Sequence, residues 1–238
     1  MRNFLWGSVV FLVLFGCSND NFNQMNISGT VTGLKKGTLY LQKFEDTLLV
    51  TVDSAIVDGN SNFKFSEIVE SPEIYYLYVQ LKDGSLQDDR ITFFAENGNL
   101  NITTNLKNFG NAARINGSKN DSLLREYNKL KQRYVSKNLE IIEQKLNLGK
   151  GGKESLLTDL DKKQQNLLSN KYLTTVNFAL NHKDYEIAPY LMLHEVYDVN
   201  IKYLDTVYRT LDPKIKDSKY GKKLESYIII RKENDTVL

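Results

Sequence analysis

The apolar pattern of this 238-residue chain changes its period once, near residue 118. From Asn26 to Gly117, apolar side chains recur at every second position, as at Phe63 and Phe65 or at Leu100 and Ile102, with turn-forming residues between the runs. Successive side chains of a strand point to opposite sides, so this alternation is typical of strands with one buried face. Short strands at close spacing predict an antiparallel β-sandwich or barrel.

A helical pattern follows this segment. Apolar residues recur at intervals of three and four from residue 123 to residue 146, which is the spacing of one helix face. We expect a first helix from Asn120 to about Gln144, with Asn120 or Asp121 as its N-cap. The same pattern, interrupted by a glycine-rich loop and two prolines, predicts further helices over residues 154–180, 187–197, 201–211 and 218–231.

Together the two patterns predict an α+β protein, with an N-terminal antiparallel β-sandwich or barrel followed by a C-terminal helical region. We place the β-sandwich at residues 26–117, the helical domain at 118–232 and a tail at 233–238. The helices are expected to pack as antiparallel pairs on one another or against the sheet. With 41% hydrophobic and 25% charged residues, the composition is that of a globular protein with room for one large core or two small ones.

The N-terminus has the layout of a secretory signal. Arg2 precedes an apolar run from Phe4 to Gly16, as a positive n-region precedes an apolar h-region. As a helix this run would span about 20 Å, too short for a hydrocarbon core of about 30 Å. We therefore expect residues 1–16 to be a signal peptide and not a permanent membrane span.

The one cysteine of the chain, Cys17, follows this run directly. The residues Leu14-Phe15-Gly16-Cys17 resemble a bacterial lipobox, although Phe15 is bulkier than the usual residue; the alternative is an ordinary signal peptide that contains a cysteine. The resemblance implies lipidation of Cys17, and two or more acyl chains hold a protein stably at a membrane. Residues 17–25 would then form a lipidated tether.

Lipidation of Cys17 has consequences for location and for chemistry. The mature chain would lie in the cell envelope, anchored to a membrane that we expect to be the outer membrane, on its periplasmic or surface face. It would have no thiol left for a disulfide or for redox chemistry. The formal net charge of +2, with both signs interleaved, gives no indication of a nucleic-acid partner.

Two stretches match ligand-binding motifs only in part. Asp58–Val69 begins with the spacing of a calcium loop, but Phe63 stands in place of the glycine and Val69 in place of the final glutamate. We expect a hairpin turn here. In residues 148–155, Glu154 follows Gly-Lys where a phosphate loop has Ser or Thr, so a flexible loop between helices is the better interpretation.

A third stretch contains potential metal ligands. His194 and Asp198 lie one helical turn apart, with Glu195 beside His194. The zinc-protease pattern needs a second histidine in place of Asp198, and the other histidine, His182, lies in a separate turn-like segment. We therefore expect a surface helix with local polar pairing instead of a metal site.

No arrangement of catalytic side chains is apparent. Carboxylates cluster in one apparent loop, where they more often contact water than form an acid–base pair, at Asp83, Asp88 and Asp89. We expect no catalytic residues, no metal and no cofactor, and thus a protein that is not an enzyme. A hydrolase that uses carboxylates alone would need two acidic side chains that converge in a cleft.

The segment Glu73–Leu81 contains the candidate binding residues. If its odd-numbered residues face the core, then Tyr76, Tyr78 and Gln80 form an opposite, amphipathic face of the kind used at interfaces. The alternative is a central strand whose second face is covered by the helical half. In both interpretations this strand is central to the β-domain.

Several segments resemble a known family. These are the residues at 27–42, 52–65, 71–79, 93–103 and 115–121, which together are similar to a β-domain of unknown function (DUF). That domain commonly forms the N-terminal part of bacterial envelope lipoproteins of the thiol:disulfide interchange type, and residues 188–198 and 208–228 resemble the helical linker before their thioredoxin-like domain. No Cys-x-x-Cys motif is present here, so the redox residues of the family have no counterpart in this sequence.

These observations predict a lipid-anchored cell-envelope protein that acts as a non-catalytic binding or partner-docking module. The alternative is an accessory or split subunit of a thiol:disulfide oxidoreductase, whose thioredoxin-fold domain is on another chain. The expected partners are the membrane, through the lipid, and a thioredoxin-fold or other envelope protein. Five tripeptides also match a short O-glycosylation pattern that occurs often by chance, beginning at Asp46, Asp53, Asp121, Asp205 and Asp235.

Overall fold

The computed structural model describes residues 23–85, 89–149 and 154–236. The predicted signal peptide at 1–16, the lipidation site Cys17 and most of the tether lie outside the described residues. So do Asp88 and residues 150–153 of the glycine-rich loop.

Strands occupy the N-terminal half of the described chain and form two four-stranded sheets. The first sheet has the strand order β4-β1-β7-β8, and the second has the order β3-β2-β5-β6. The strands are β1 (Gln24–Thr32), β2 (Lys36–Glu45), β3 (Leu48–Asp58), β4 (Asn62–Ile68), β5 (Glu73–Leu81), β6 (Ile91–Ala95), β7 (Gly98–Asn105) and β8 (Arg114–Asn116). With the helices that follow, this confirms the predicted α+β class.

The strand pairs are antiparallel with one exception, since β1 and β7 run parallel. A parallel pair requires a long crossover, and here the entire second sheet is inserted between its two strands. The alternating pattern predicted the faces of the strands but contains no information on this pairing.

Side chains from the inner faces of both sheets form one apolar core, as the alternation predicted. Tyr75, Leu77 and Val79 of β5 are fully buried in it. From the first sheet, Ile27 and Ile102 pack into the same core. The candidate binding side chains, which alternate with the buried ones on β5, therefore point away from this core.

The turn at residues 58–62 differs from the sequence prediction. The strands on either side of it belong to different sheets, so it is a connection between sheets and not a hairpin. Gly59 N donates to Lys35 O at 2.8 Å, and Val31 N donates to Ser61 O at 3.0 Å. The turn thus lies beside the β1–β2 connection, where the chain crosses between the sheets in the other direction. Local turn residues predicted a reversal of the chain but not the sheet to which it leads.

Helices make up the rest of the described chain. They are α1 (Lys119–Leu148), α2 (Glu154–Asn181), α3 (Ile187–His194), α4 (Ile201–Thr210), α5 (Pro213–Lys216) and α6 (Lys219–Thr236). α6 includes residues 233–236, which the sequence analysis assigned to a tail. None of the helices in the described parts combines the length and the hydropathy of a membrane span.

The N-cap of α1 is Ser118, and the prediction of Asn120 or Asp121 was wrong. The Ser118 side chain accepts a hydrogen bond from Asp121 N at 2.9 Å. Asn120 and Asp121 are buried and bind other elements instead. The sequence here allows the helix to begin at several residues, because serine, asparagine and aspartate side chains can each cap a helix.

Two apolar clusters hold the helices together and against the sheets. One lies among α2, α3, α4 and α6. The other joins the start of α1, α3 and α6 to the outer face of the second sheet, at Ile74 and Phe94. The buried residues of α1 all lie between Asn120 and Tyr127, so the rest of this helix, more than 30 Å long at 1.5 Å per residue, contacts mainly α2.

Candidate functional site

The outward-facing side chains of β5 pass from a buried end to an open end. Ile74 is buried beneath the helices, while Tyr76, Tyr78 and Gln80 are half-buried. β5 is an interior strand, between β2 and β6. The helices therefore cover one end of this face and leave the other end open.

The covered end is a dense aromatic contact. The Phe94 ring lies 5.2 Å from the Tyr190 ring and 6.1 Å from the Tyr220 ring, both edge to face. The Tyr220 hydroxyl accepts a hydrogen bond from Ile74 N at 3.1 Å. Burial raises the pKa of both tyrosines, to about 12 for Tyr190, so their hydroxyls keep their protons at physiological pH.

The open end is a platform, which we define as Tyr40, Tyr78, Gln80 and Arg90. The rings of Tyr40 and Tyr78, on neighbouring strands, have centroids 6.3 Å apart and planes tilted by 32°. The Arg90 guanidinium lies 5.3 Å from the Tyr78 ring centroid. The Tyr40 hydroxyl donates to Gln80 Oε1 at 3.0 Å. Two aromatic faces, one cation and one amide are thus presented together on a sheet.

A small cavity lies at the covered end, where the helices meet the sheet, and we call it the Tyr76 pocket. Its volume is 190 Å³, and Phe44 and Tyr76 line it from the sheet while Tyr190 and His194 line it from α3. The Phe44 and Tyr76 rings meet edge to face at 5.6 Å. Burial raises the pKa of the Tyr76 phenol, and Arg90 offsets part of this rise.

Charged groups surround the same pocket. Lys219 forms an ion pair with Glu73, and both side chains are mostly buried. Asp46 and Lys223 also line the pocket. Asp46 has a φ of 53° and is, within the described residues, the one non-glycine residue with a positive φ.

A larger polar cleft of 470 Å³ lies where the strands meet the helices. Two carboxylates converge there on one amide: Asn120 Nδ2 donates to Glu96 Oε2 at 2.8 Å and to Glu186 Oε2 at 3.0 Å. Glu96 also accepts hydrogen bonds from the backbone N–H groups of Lys119 and Asn120. These contacts hold the start of α1 against the end of β6.

Two carboxyls are buried here, Glu186 in the lining of the cleft and Asp121 outside that lining. Burial raises the pKa of Glu186, with a further contribution from the charge of Glu96, while Lys214 offsets part of the rise. Burial also raises the pKa of Asp121, against its hydrogen bond with Arg125. A carboxylate hydrolase would need two converging acidic side chains, and Glu96 and Glu186 converge in this cleft. Because the oxygens of Glu96 are occupied by α1, the arrangement favours a role in joining the two halves.

The exposed part of the α1–α2 hairpin is a further surface. A groove of 780 Å³ runs between the two helices, and two of its lining residues are joined by a hydrogen bond from Gln164 Nε2 to Asn138 Oδ1 at 2.8 Å. Beside the groove, α1 has a row of exposed apolar side chains at intervals of four, three and four. We call this row the α1 stripe, and it consists of Val135, Leu139, Ile142 and Leu146.

The structure separates the potential metal ligands of residues 194–198. Glu195 binds Lys131 at 2.7 Å, and Asp198 accepts a hydrogen bond from the Tyr172 hydroxyl at 2.7 Å. The His182 ring is tilted by 35° against the Phe178 ring, with centroids 4.2 Å apart. Within the described residues, no three histidine, cysteine or carboxylate side chains are arranged as metal ligands.

Comparison with protein families adds one finding to this geometry. Residues 25–124 match the family model of a domain of unknown function, DUF4369. The chain therefore has an N-terminal domain of unknown function. No curated protein matches the chain.

Apart from Gln24, the DUF4369 segment covers the eight strands and the first residues of α1. It includes the platform, the sheet side of the Tyr76 pocket, and Glu96 with Asn120. Glu186, His194 and Lys223, which complete the cleft and the pocket, lie outside it. Both cavities are thus formed jointly by the DUF4369 segment and the helices that follow.

The sequence predicted Tyr76, Tyr78 and Gln80 as binding residues, and the structure places Tyr40 and Arg90, which were not predicted, beside Tyr78. Tyr40 alternates with the buried Leu39 and Leu41, so its outward orientation can be predicted from the sequence. Its position opposite Tyr78 depends on the β2–β5 pairing, which the sequence does not specify. Glu96 and Glu186 are 90 residues apart, and no local pattern connects them.

Proposed function

We propose that this protein is a lipid-anchored cell-envelope module that binds a partner protein through the platform and has no catalytic role of its own. The observation that carries the proposal is the Tyr40–Tyr78 pair with Arg90, on a sheet face that the helices leave open. Tyrosine and arginine are over-represented among the residues that dominate binding energies at protein interfaces. The carboxamide of Gln80 adds a group that can hydrogen-bond a partner.

The proposed location depends on Cys17. The signal-like run and the lipobox-like residues before Cys17 support a mature lipoprotein at the outer membrane, on its periplasmic or surface face. Replacement Cys17→Ala should abolish labelling by a radioactive fatty acid and release the protein from the membrane fraction. Unchanged fractionation would contradict the anchor.

The docking role is tested by crosslinking on the intact lipoprotein in its own membrane. A photoreactive residue at position 38, beside the platform on β2, should form a discrete adduct, and Tyr78→Ser should remove that adduct while leaving the amount of folded protein unchanged. Tyr203→Ser is the matched control, because Tyr203 is an exposed tyrosine on α4. Equal adducts from wild type and Tyr78→Ser would overturn docking at the platform.

A second candidate function is an accessory or split subunit of a thiol:disulfide oxidoreductase. The α1 stripe supports it, because Leu139 and Leu146 are 59% and 74% exposed on the helical half, where a separate thioredoxin-fold chain would dock. Lipoproteins of the thiol:disulfide interchange type, which the sequence resembles, supply the class of partner.

The two candidates make opposite predictions for the same pair of variants. If a thioredoxin-fold chain with a Cys-x-x-Cys motif docks on the helices, Leu139→Glu should abolish its co-purification and Tyr78→Ser should not. If the platform is the docking site, the reverse result is expected. Gln144→Glu, at an exposed position of α1, is the control, because it adds the same single negative charge without removing an apolar side chain.

A further inference from the structure

The size of the Tyr76 pocket restricts what it can hold. Its 190 Å³ is equivalent to about six water molecules at ~30 Å³ each. A single amino acid or a similar small organic molecule fits this volume, whereas a nucleotide or a folded peptide does not. Phe44, Tyr76 and Tyr190 supply aromatic walls, which favour an apolar body in the ligand.

His194 presents one nitrogen to a ligand. Its Nδ1 lies 2.9 Å from the Tyr190 carbonyl oxygen, and because a carbonyl can only accept, Nδ1 carries the hydrogen. Nε2 is then the free ring nitrogen. The imidazole stacks on the Tyr190 ring at 4.4 Å with an interplanar angle of 24°, so its orientation is fixed before any ligand binds.

The charges on the pocket leave one group of each sign available. Glu73 and Lys219 neutralise each other in an ion pair. Asp46 and Lys223 line the same pocket, and no ion pair within the described residues engages either of them. A carboxylate and an ammonium group that line one pocket without an ion pair suit a ligand that carries both opposite charges.

We propose that the Tyr76 pocket binds a small zwitterion of the α-amino-acid class with an aromatic side chain. Lys223 binds the ligand carboxylate, Asp46 and the unprotonated Nε2 of His194 accept hydrogen bonds from its ammonium group, and the aromatic walls contact its side chain. This ligand site goes beyond the docking function proposed above and does not depend on it. Tyr76 was predicted as a partner-binding residue, so its substitution is avoided in the test.

Three probes with the same aromatic body separate the contributions of charge. Phenylalanine carries both charges, 3-phenylpropionate has the carboxylate alone, and 2-phenylethylamine has the ammonium group alone. Each probe is titrated into the mature chain, and binding is measured by calorimetry and by saturation-transfer NMR. Phenylalanine should bind at least about tenfold more tightly than either analogue. Equal binding of phenylalanine and 3-phenylpropionate, or no binding of phenylalanine, would overturn the proposal.

Two variants assign the binding to this pocket. Asp46→Asn removes the charge and keeps a residue that tolerates a positive φ, and Lys223→Met removes the ammonium group. Each should weaken phenylalanine binding by about tenfold, as expected for one charge-assisted hydrogen bond. Lys222→Met, one residue away and outside the pocket lining, should bind as wild type does. Unchanged affinity in both pocket variants, with unchanged circular dichroism, would contradict the site.

One further variant keeps this test separate from that of the proposed function. Tyr78→Ser alters the platform but not the pocket lining, so it should lose the crosslinked partner and still bind phenylalanine. If Tyr78→Ser leaves the adduct unchanged while phenylalanine binds, the docking proposal fails and the ligand site stands. If phenylalanine does not bind while Tyr78→Ser removes the adduct, the ligand site fails alone.

Discussion

Asn120 uses its whole side chain to connect the strands to the helices. Its Nδ2 donates to Glu96 and Glu186, and its Oδ1 accepts a hydrogen bond from Ile187 N at 3.0 Å. It is 2% exposed, so water cannot replace these partners without rearrangement. One amide thus links the end of β6, the start of α1 and the start of α3.

We expect Asn120→Ala to destabilise the protein by about 2–4 kcal/mol. It removes one hydrogen bond from each of the buried Glu96 and Glu186 carboxyls and leaves the Ile187 N–H without this acceptor, although Glu96 keeps its backbone donors on α1. Asn147→Ala is the matched control, since Asn147 is an exposed asparagine of the same helix. Urea denaturation followed by circular dichroism gives both free energies of unfolding. If Asn120→Ala lowers the free energy of unfolding by less than about 0.5 kcal/mol, as an ordinary surface substitution does, this role is contradicted.

Glu186 makes the stability depend on pH in an unusual direction. Its pKa in the folded state is raised above the ordinary value of 4.5 by burial and by Glu96, despite Lys214. As the pH rises through 4.5 the unfolded state loses its proton first, so the contribution of Glu186 to the free energy of unfolding falls until the pH exceeds the folded pKa.

Replacement of Glu186 by glutamine should therefore stabilise the protein near neutral pH, because the amide can still accept from Asn120 and is never ionised. The difference between Glu186→Gln and wild type should disappear below about pH 4, where both states of the wild type are protonated. Thermal melting across a pH series measures this difference. Greater stability of the wild type at pH 7 would show that ionised Glu186 is favoured in the folded state.

At the scale of elements, the cap of α1 can be tested directly. Ser118 is buried and caps the helix through Asp121 N, so Ser118→Ala should cost about 1 kcal/mol. Ser136→Ala, at an exposed position within α1, should cost nothing or stabilise slightly, since alanine has the higher helix propensity. The free energy of unfolding is measured by chemical denaturation. An equal decrease in the two variants would contradict capping by Ser118.

Periodicity predicted most elements of this fold because it is a local property. The alternation over β5 placed Tyr75 and Leu77 in the core and Tyr78 outside it, as the structure confirms. The turn at residues 58–62 was misassigned because the choice between a hairpin and a sheet-to-sheet connection depends on distant strands. The parallel β1–β7 pair was not predicted for the same reason.

The candidate sites were less predictable than the elements. The pocket and the cleft each combine residues from the DUF4369 segment with residues from helices more than 60 positions later. Lys223 and Asp46, for example, approach one cavity only because α6 packs on the second sheet. Sequence spacing can identify side chains that lie together on one helix or strand. The side chains of these two cavities come from different elements and meet only through tertiary packing.

At the scale of the whole molecule, two adjacent phenylalanines face different cores. Phe93 is buried between the two sheets, and Phe94 is buried beneath α3 and α6. Because Phe94 and Ile74 belong to the second sheet and to the helical cluster at once, we expect strands and helices to unfold as one cooperative unit.

Phe93→Ala tests this cooperativity, because Phe93 packs in the sandwich core and not in either helical cluster. It should lower the global free energy of unfolding by about 3–5 kcal/mol. If the molecule is one unit, segment-resolved hydrogen exchange should then accelerate in α3 and α6 as much as in β2 and β5. Phe94→Ala serves as the comparison, since it removes the contact between the halves as well. Faster exchange in the strands of Phe93→Ala, with unchanged exchange in α3 and α6, would mean that the helices unfold separately despite sharing both cavities with the sheet.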